Sequence, residues 1–161
     1  MRKIALPLLF LCISLATYPS KAFGQQKEID WISFEELDTR LDQDPKKVLI
    51  YFYTDWCTYC RKMEKEVFTN PEIVDLINNQ YLAVKFDAES KENVVFDGTT
   101  FRNTGPDNAL NKSLHELAVL LALNHGQFTP PVIIILESDF SLNARYLEYL
   151  HSEKLKKILA Y

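Results

Sequence analysis

Apolar positions along the chain switch between two spacings, and the switches mark the elements. Phe34, Leu37 and Leu41 recur at three and four, behind a Ser33–Glu36 capping box, and predict a helix to about Asp42 that Asp44-Pro45 ends. Lys47 to Tyr53 is a continuous apolar, β-branched and aromatic run, as expected of a central strand buried on both faces. After a short Thr54-Asp55-Trp56 turn, Cys60, Met63 and Val67 return to helical spacing, predicting a helix from about Cys57 to Phe68. Asn70-Pro71-Glu72 opens another, with Asn as N-cap and Pro at the first helical position. It ends near Asn78-Asn79, and Tyr81 to Asp87 reads as a second strand.

Residues 88–107 break the alternation and read as an insertion. They are polar, and Asp97-Gly98 between Val94-Val95-Phe96 and Thr99-Thr100-Phe101 is a hairpin signal. A Ser113–Glu116 capping box then predicts a helix carrying Leu110, Leu114, Leu117, Ala118 and Leu121, closed by Asn124-His125-Gly126. Val132–Leu136 and Leu142–Glu148 read as an antiparallel strand pair, and Ser152 as the cap of a last helix to about Ala160. Gln25 to Asp30 reads as a loose lead-in. The expected class is α/β, a mixed sheet with helices on both faces.

The first residues follow a different logic. Arg2 and Lys3, an apolar run from Ile4 to Thr17, and the small residues of Ala22-Phe23-Gly24 have the anatomy of a secretory signal peptide cut after Gly24. The alternatives are a retained anchor, which the short run and Pro7 disfavour, and lipid attachment at Cys12, which the preceding Leu11 disfavours. Residues 25–161 then form the exported, periplasmic domain. The whole chain of 161 residues carries a net charge of −4; without Arg2, Lys3 and Lys21 the domain carries −7. An acidic domain without a basic block has no electrostatic footprint for nucleic acid. It also has no run of the roughly 20 apolar residues that membrane insertion needs.

Two cysteines remain, Cys57 and Cys60, too close together to brace a long loop, so the pair points to chemistry. The Cys-x-x-Cys follows a buried strand and opens a helix. There the first Cys lies near unpaired N–H groups and the positive end of the dipole, which favour thiolate. Cys57 is therefore expected to be the exposed nucleophile, and Cys60, one turn in, to face the core and resolve the mixed disulfide. Zinc would need about four ligands, and His115, His125 and His151 are isolated. Attachment of c-type haem needs His after the second Cys, where Arg61 stands. No metal and no bound cofactor are implied. A permanently oxidised, inert disulfide is the other reading.

Strand, Trp56-Cys57-Thr58-Tyr59-Cys60-Arg61-Lys62, helix, strand, then Pro before an apolar strand resembles the thioredoxin-like superfamily. The run on to Phe68, followed by Asn70-Pro71-Glu72-Ile73, resembles the exported thioredoxin-like proteins of bacteria. Leu114-His115-Glu116-Leu117-Ala118 after the Phe-Asp-Gly hairpin resembles the version in Bacteroidetes-type bacteria. The resemblance covers about Trp31 to Tyr161. It implies a thioredoxin-like fold and a cis-proline facing the Cys pair. In Thr129-Pro130-Pro131-Val132, Pro130 fits better, with Thr129 before it, and Pro131 is the variant. Trp56, Thr58, Tyr59, Thr129 and Pro130 would form the substrate groove. The family's buried Asp six residues before the first Cys is Tyr51 here, and a neutral phenol is no base at neutral pH. Lys85 and Glu64 are candidates for a proton relay, with Asp55 as another acid nearby.

The resulting expectation is an exported thiol–disulfide oxidoreductase acting on protein thiols and disulfides, with electrons exchanged with a membrane-bound redox partner. The alternative is a non-enzymatic binding module that retains the fold.

Overall fold

The structure, a computed structural model, describes residues 27–106 and 113–160. The expected leader with its cut at Gly24, and Leu110, lie outside the described residues. The chain runs β1 (Trp31–Ile32), α1 (Phe34–Gln43), β2 (Lys47–Tyr53), α2 (Thr58–Glu66), α3 (Pro71–Gln80) and β3 (Tyr81–Asp87). It continues β4 (Val94–Phe96), β5 (Thr99–Phe101), α4 (Glu116–Ala122), β6 (Val132–Leu136), β7 (Leu142–Tyr146) and α5 (Ser152–Leu159).

One sheet has the order β1-β3-β2-β6-β7, and β4 and β5 form a separate hairpin. β1 and β2 flank β3 in parallel, β6 runs antiparallel to β2, and β7 antiparallel to β6. The expected mixed α/β architecture is therefore present. β2 is central and buried between its ends, which is why it carries no polar alternation.

Alternate residues of β2 feed two cores. Leu49 and Tyr51 join Ile133, Ile135, Cys60, Met63, Ile73, Ile77 and Leu155, beneath α2, α3 and α5. Val48, Ile50 and Phe52 join Phe34, Leu37, Val84, Leu117, Ala118 and Ile134, against α1 and α4. Each fully buried Leu or Ile of these sets stabilises the fold by about 1.5–3 kcal/mol.

The hairpin packs on the second core. Its turn residues Asp97 and Gly98 both have positive φ, 47° and 66°, as a two-residue I′ turn requires. Phe96 meets Phe34 at 5.3 Å and Phe140 at 5.1 Å, and the Asp97 N–H donates to Asp38 at 2.9 Å.

Several boundaries differ from expectation for physical reasons. The Ser113–Glu116 box does not form. Ser113 Oγ donates to Asn103 Oδ1 at 2.6 Å and Glu116 accepts from the Arg102 N–H at 2.7 Å, so both groups are engaged by the insertion. The helix starts at Glu116, capped by His115, whose Nδ1 accepts the Leu117 N–H at 3.2 Å. His151, not Ser152, caps α5, and the expected strand to Glu148 stops at Tyr146. The lead-in ends in β1, which has only two residues and no periodicity to read; its pairing with Ala83 and Val84 defines it.

Candidate active site

β2 delivers the chain to the site. After Tyr53 the Cys57 N–H donates to the Thr54 carbonyl at 3.1 Å, a tight turn that brings Cys57 to the start of α2. Cys57 is the N-cap of that helix, and its Sγ accepts the Cys60 N–H at 3.0 Å. Cys57 and Cys60 form a disulfide. No acidic residue stands in the first turn of α2, so the positive end of the helix dipole faces the Cys57 sulfur without competition.

The expectation of an exposed Cys57 is corrected. Its relative exposure is 4%, against 1% for Cys60, because both sulfurs are closed into the core under α2. The exposed residues are its neighbours: Trp56 at 58% and Tyr59 at 61%. Thr58 is exposed as well and its Oγ1 accepts from Arg61 at 3.3 Å.

Cis geometry falls on the Pro130–Pro131 bond, so Pro131 is the cis residue and Pro130, not Thr129, precedes it. Consecutive X–Pro bonds offer two candidates to sequence reading. Pro131 directly precedes Val132, which pairs with Phe52. That register sets the Pro-Pro segment beside the end of β2 from which the Cys57 turn departs. Thr129 is exposed, Pro130 half-buried and Pro131 buried.

Lys85 and Glu64 are brought together, Nζ to Oε1 3.0 Å, and Lys85 also lies 4.7 Å from the centroid of the Tyr53 ring. Tyr51, paired in register with Lys85, is fully buried and its hydroxyl has no hydrogen-bond partner among the described residues. Burial first, then the charge of Glu64 and the neighbouring Tyr53, push its phenol far above the ordinary tyrosine range. It is neutral at any working pH, as its side-chain type implies.

Three contacts lie beyond the sequence expectations. Trp56 Nε1 donates to Glu89 Oε1 at 2.8 Å, across 33 residues. Tyr59 lies 5.8 Å from Tyr149. Arg61 donates to the Asp55 carbonyl at 2.6 Å, tying the turn to the helix. The last had a local signal, a long donor on the first turn of α2; the other two join distant segments and had none.

Among the described residues no group of His, Cys, Asp and Glu could hold a metal ion, and no helix is long and apolar enough to cross a membrane.

Comparison with solved structures supports the fold. The chain is similar to a thioredoxin from Thermus thermophilus, with a TM-score of 0.58 and 15% identity over 83% of this chain and 85% of that one. It is also similar to a putative disulphide-isomerase from Bacteroides thetaiotaomicron, with a TM-score of 0.56 and 22% identity over 83% of this chain and 93% of that one. The thiol:disulfide interchange protein DsbD of Neisseria meningitidis serogroup B is 25% identical over 119 residues, 73% of this chain and 16% of that protein. The curated DsbD relatives are much longer proteins, of which the matched stretch is 9% to 16%. A family model for the thioredoxin-like domain matches residues 34–161, a span that holds the sheet from β2 to β7 and the Cys57–Cys60 disulfide, and the chain belongs to that family.

Proposed function

We propose that the protein is an exported thiol–disulfide oxidoreductase working at Cys57 and Cys60. The observation that carries this is the disulfide at the start of α2, with the Cys57 sulfur held by the Cys60 N–H at the positive end of the helix. In the reduced form the Cys57 thiolate attacks a substrate disulfide. One substrate sulfur leaves as thiolate and a mixed disulfide forms. Cys60 then loses its proton and attacks the Cys57 sulfur, expelling the second substrate thiolate. Two electrons pass to the substrate, its two sulfurs take up protons, and the Cys57–Cys60 disulfide is left. Run backwards, the same steps oxidise a dithiol; the reduction potential against the compartment sets the direction.

Substrate polypeptide rests on Trp56, Thr58 and Tyr59 and on the Thr129-Pro130-Pro131 segment, where exposed backbone can pair with an added strand. The Glu64–Lys85 pair relays protons to the buried thiols, and Glu64→Gln is expected to slow the resolving step. A membrane-bound partner exchanges electrons with the pair; the similarity to a thiol:disulfide interchange protein supports the exchange itself. The leader to Gly24 directs the chain to the periplasm.

The burial of Cys57 favours one second reading, a binding module with an inert disulfide. The experiment that separates them is trapping. Cys60→Ser should accumulate a mixed disulfide with a disulfide-bonded protein substrate on a non-reducing gel, and Cys57→Ala should bring turnover to background. A pair that cannot be reduced in the folded protein gives the case to the binding module. Export is tested by N-terminal sequencing of the periplasmic fraction: a start at Gln25 is expected, and an intact Met1 there overturns the cleavage.

A further inference from the structure

We propose that Tyr149 is a positioning residue for the substrate groove: its ring holds the ring of Tyr59, which stands between the two cysteines, in the orientation that meets a substrate polypeptide. This rests on the redox reading of the Cys pair and adds a residue to it. Tyr59 is the second residue of α2 and is exposed. Its ring lies 5.8 Å from that of Tyr149, the planes tilted at 44°. Lys62, three residues on and so on the same side of α2, places its Nζ 5.1 Å from the centroid of the same Tyr149 ring. Two side chains of one helix face thus meet one ring from outside the helix. An exposed aromatic side chain at a helix start has several rotamers open to it, and ordering it on binding costs affinity. A neighbour that orders it beforehand removes that cost.

Tyr149 suits this role because its own segment is fixed. It is half-buried against the core beneath α2, and Leu150 after it is fully buried. His151 caps α5 through the Lys154 N–H at 3.3 Å. Ser152 Oγ donates to the Glu66 carbonyl at 3.4 Å, which joins the start of α5 to the end of α2. The topology also puts the pair where substrate arrives. β7 runs parallel to β2 with β6 between them, and Ile133 of β6 pairs with both Tyr51 and Tyr146. The chain after Tyr146 therefore emerges at the end of the sheet where the Cys57 turn begins, on the side from which Pro131 enters. The two exposed aromatic neighbours of the disulfide are braced from opposite edges, Trp56 by Glu89 after β3 and Tyr59 by Tyr149 after β7. Tyr149 takes no part in electron transfer; it acts on binding, through Tyr59.

Reduction of insulin, with dithiothreitol as electron donor, reads the effect. Tyr149→Leu keeps an apolar side chain on the core and removes the ring. It should raise the KM for insulin about three- to tenfold, the range of one aromatic pair, with kcat within about twofold of the parent. Tyr149→Phe keeps the ring and should restore the parent KM. The deciding measurement is a cycle with Tyr59→Ala. A residue that acts through Tyr59 has nothing left to hold once that ring is gone, so adding Tyr149→Leu to Tyr59→Ala should leave KM where Tyr59→Ala put it. A merely structural role would multiply the two KM effects or lower kcat, and either result overturns the inference alone, as does an unchanged KM for Tyr149→Leu. A parent protein whose turnover does not exceed that of Cys57→Ala overturns the redox reading and this inference with it.

Discussion

The two faces of the central sheet are built from the same strands and resolve their polar groups in opposite ways. On the face covered by α1, α4 and the hairpin, His115 is fully buried yet satisfied: Nδ1 caps α4 through the Leu117 N–H, and Nε2 lies 3.1 Å from the Glu92 carbonyl. On the face covered by α2, α3 and α5, the buried hydroxyl of Tyr51 has no partner among the described residues. An unpaired buried group costs about 1–3 kcal/mol, which a purely structural core avoids. The difference teaches that the hairpin face completes its buried hydrogen bonds while the face holding the Cys57–Cys60 disulfide leaves one open.

Cavities break this comparison most directly. Leu117→Ala and Met63→Ala both empty fully buried sites, one on each face. Each is expected to cost about 2–5 kcal/mol in urea unfolding. Leu117→Ala should leave the Cys57–Cys60 equilibrium where it was, because its cavity opens in the other core. Met63→Ala loosens the packing directly under the disulfide, in the cluster that holds both cysteines, and should move that equilibrium as well. Equal redox equilibria for the two variants would mean that the two faces are coupled alike to the Cys57–Cys60 pair.

The next effect is a pH dependence confined to the hairpin face. Burial lowers the His115 pKa below its ordinary value of 6.5, against the opposing pull of the Glu92 and Phe101 carbonyls and of Glu116 and Glu35. The folded state thus binds this proton less readily than the unfolded state. Stability from His115 is complete above about pH 6.5 and is lost as pH falls from there through the lower folded value. The slope is at most about 1.4 kcal/mol per pH unit. His115→Asn keeps a capping side chain and removes the titration. Urea midpoints for the parent and the variant between pH 7.5 and pH 5 should therefore diverge only on the acid side. Parallel curves would show that the ring does not titrate with folding.

Much of this arrangement was legible in the residues, and the gaps have a common cause. Strand β2 is legible to both ends because the apolar run Val48–Tyr53 behind Lys47 admits one burial pattern. The Ser33 cap and the Asn70-Pro71 start rest on contacts within three residues, so the local sequence decides them. The Ser113 cap looked the same and failed because Asn103, ten residues away, engages its hydroxyl. The Cys pair was found from spacing and context, but its burial depends on how α2 settles on Tyr51 and Phe68, which no window of sequence contains. Likewise the β2–β6 register, which sets the Pro130-Pro131 segment beside the end of β2, is a contact across about 80 residues of chain.

The smallest effects divide the insertion itself. Two of its side-chain hydrogen bonds reach the two faces: Trp56, beside the disulfide, donates to Glu89, and the Asp97 N–H donates to Asp38, on α1. Asp38→Ala removes an exposed bond under a hairpin still anchored by Phe96, so it should cost about 0.5–1 kcal/mol and leave exchange kinetics unchanged. Glu89→Ala releases an indole that is 58% exposed and sits next to Cys57. It should raise the KM for a protein substrate a few-fold, with kcat largely kept, because a docking surface contributes to binding in ground and transition states alike. The segment behind Glu89 is itself held by Asn103, whose amide donates to the Ser90 carbonyl at 3.0 Å and the Ser113 carbonyl at 2.8 Å. Glu89 is thus presented from a braced loop, and the expected division is an effect on substrate binding from the base of the insertion and an effect on stability from its hairpin. Identical KM values for Glu89→Ala and the parent would confine the whole insertion to a structural role.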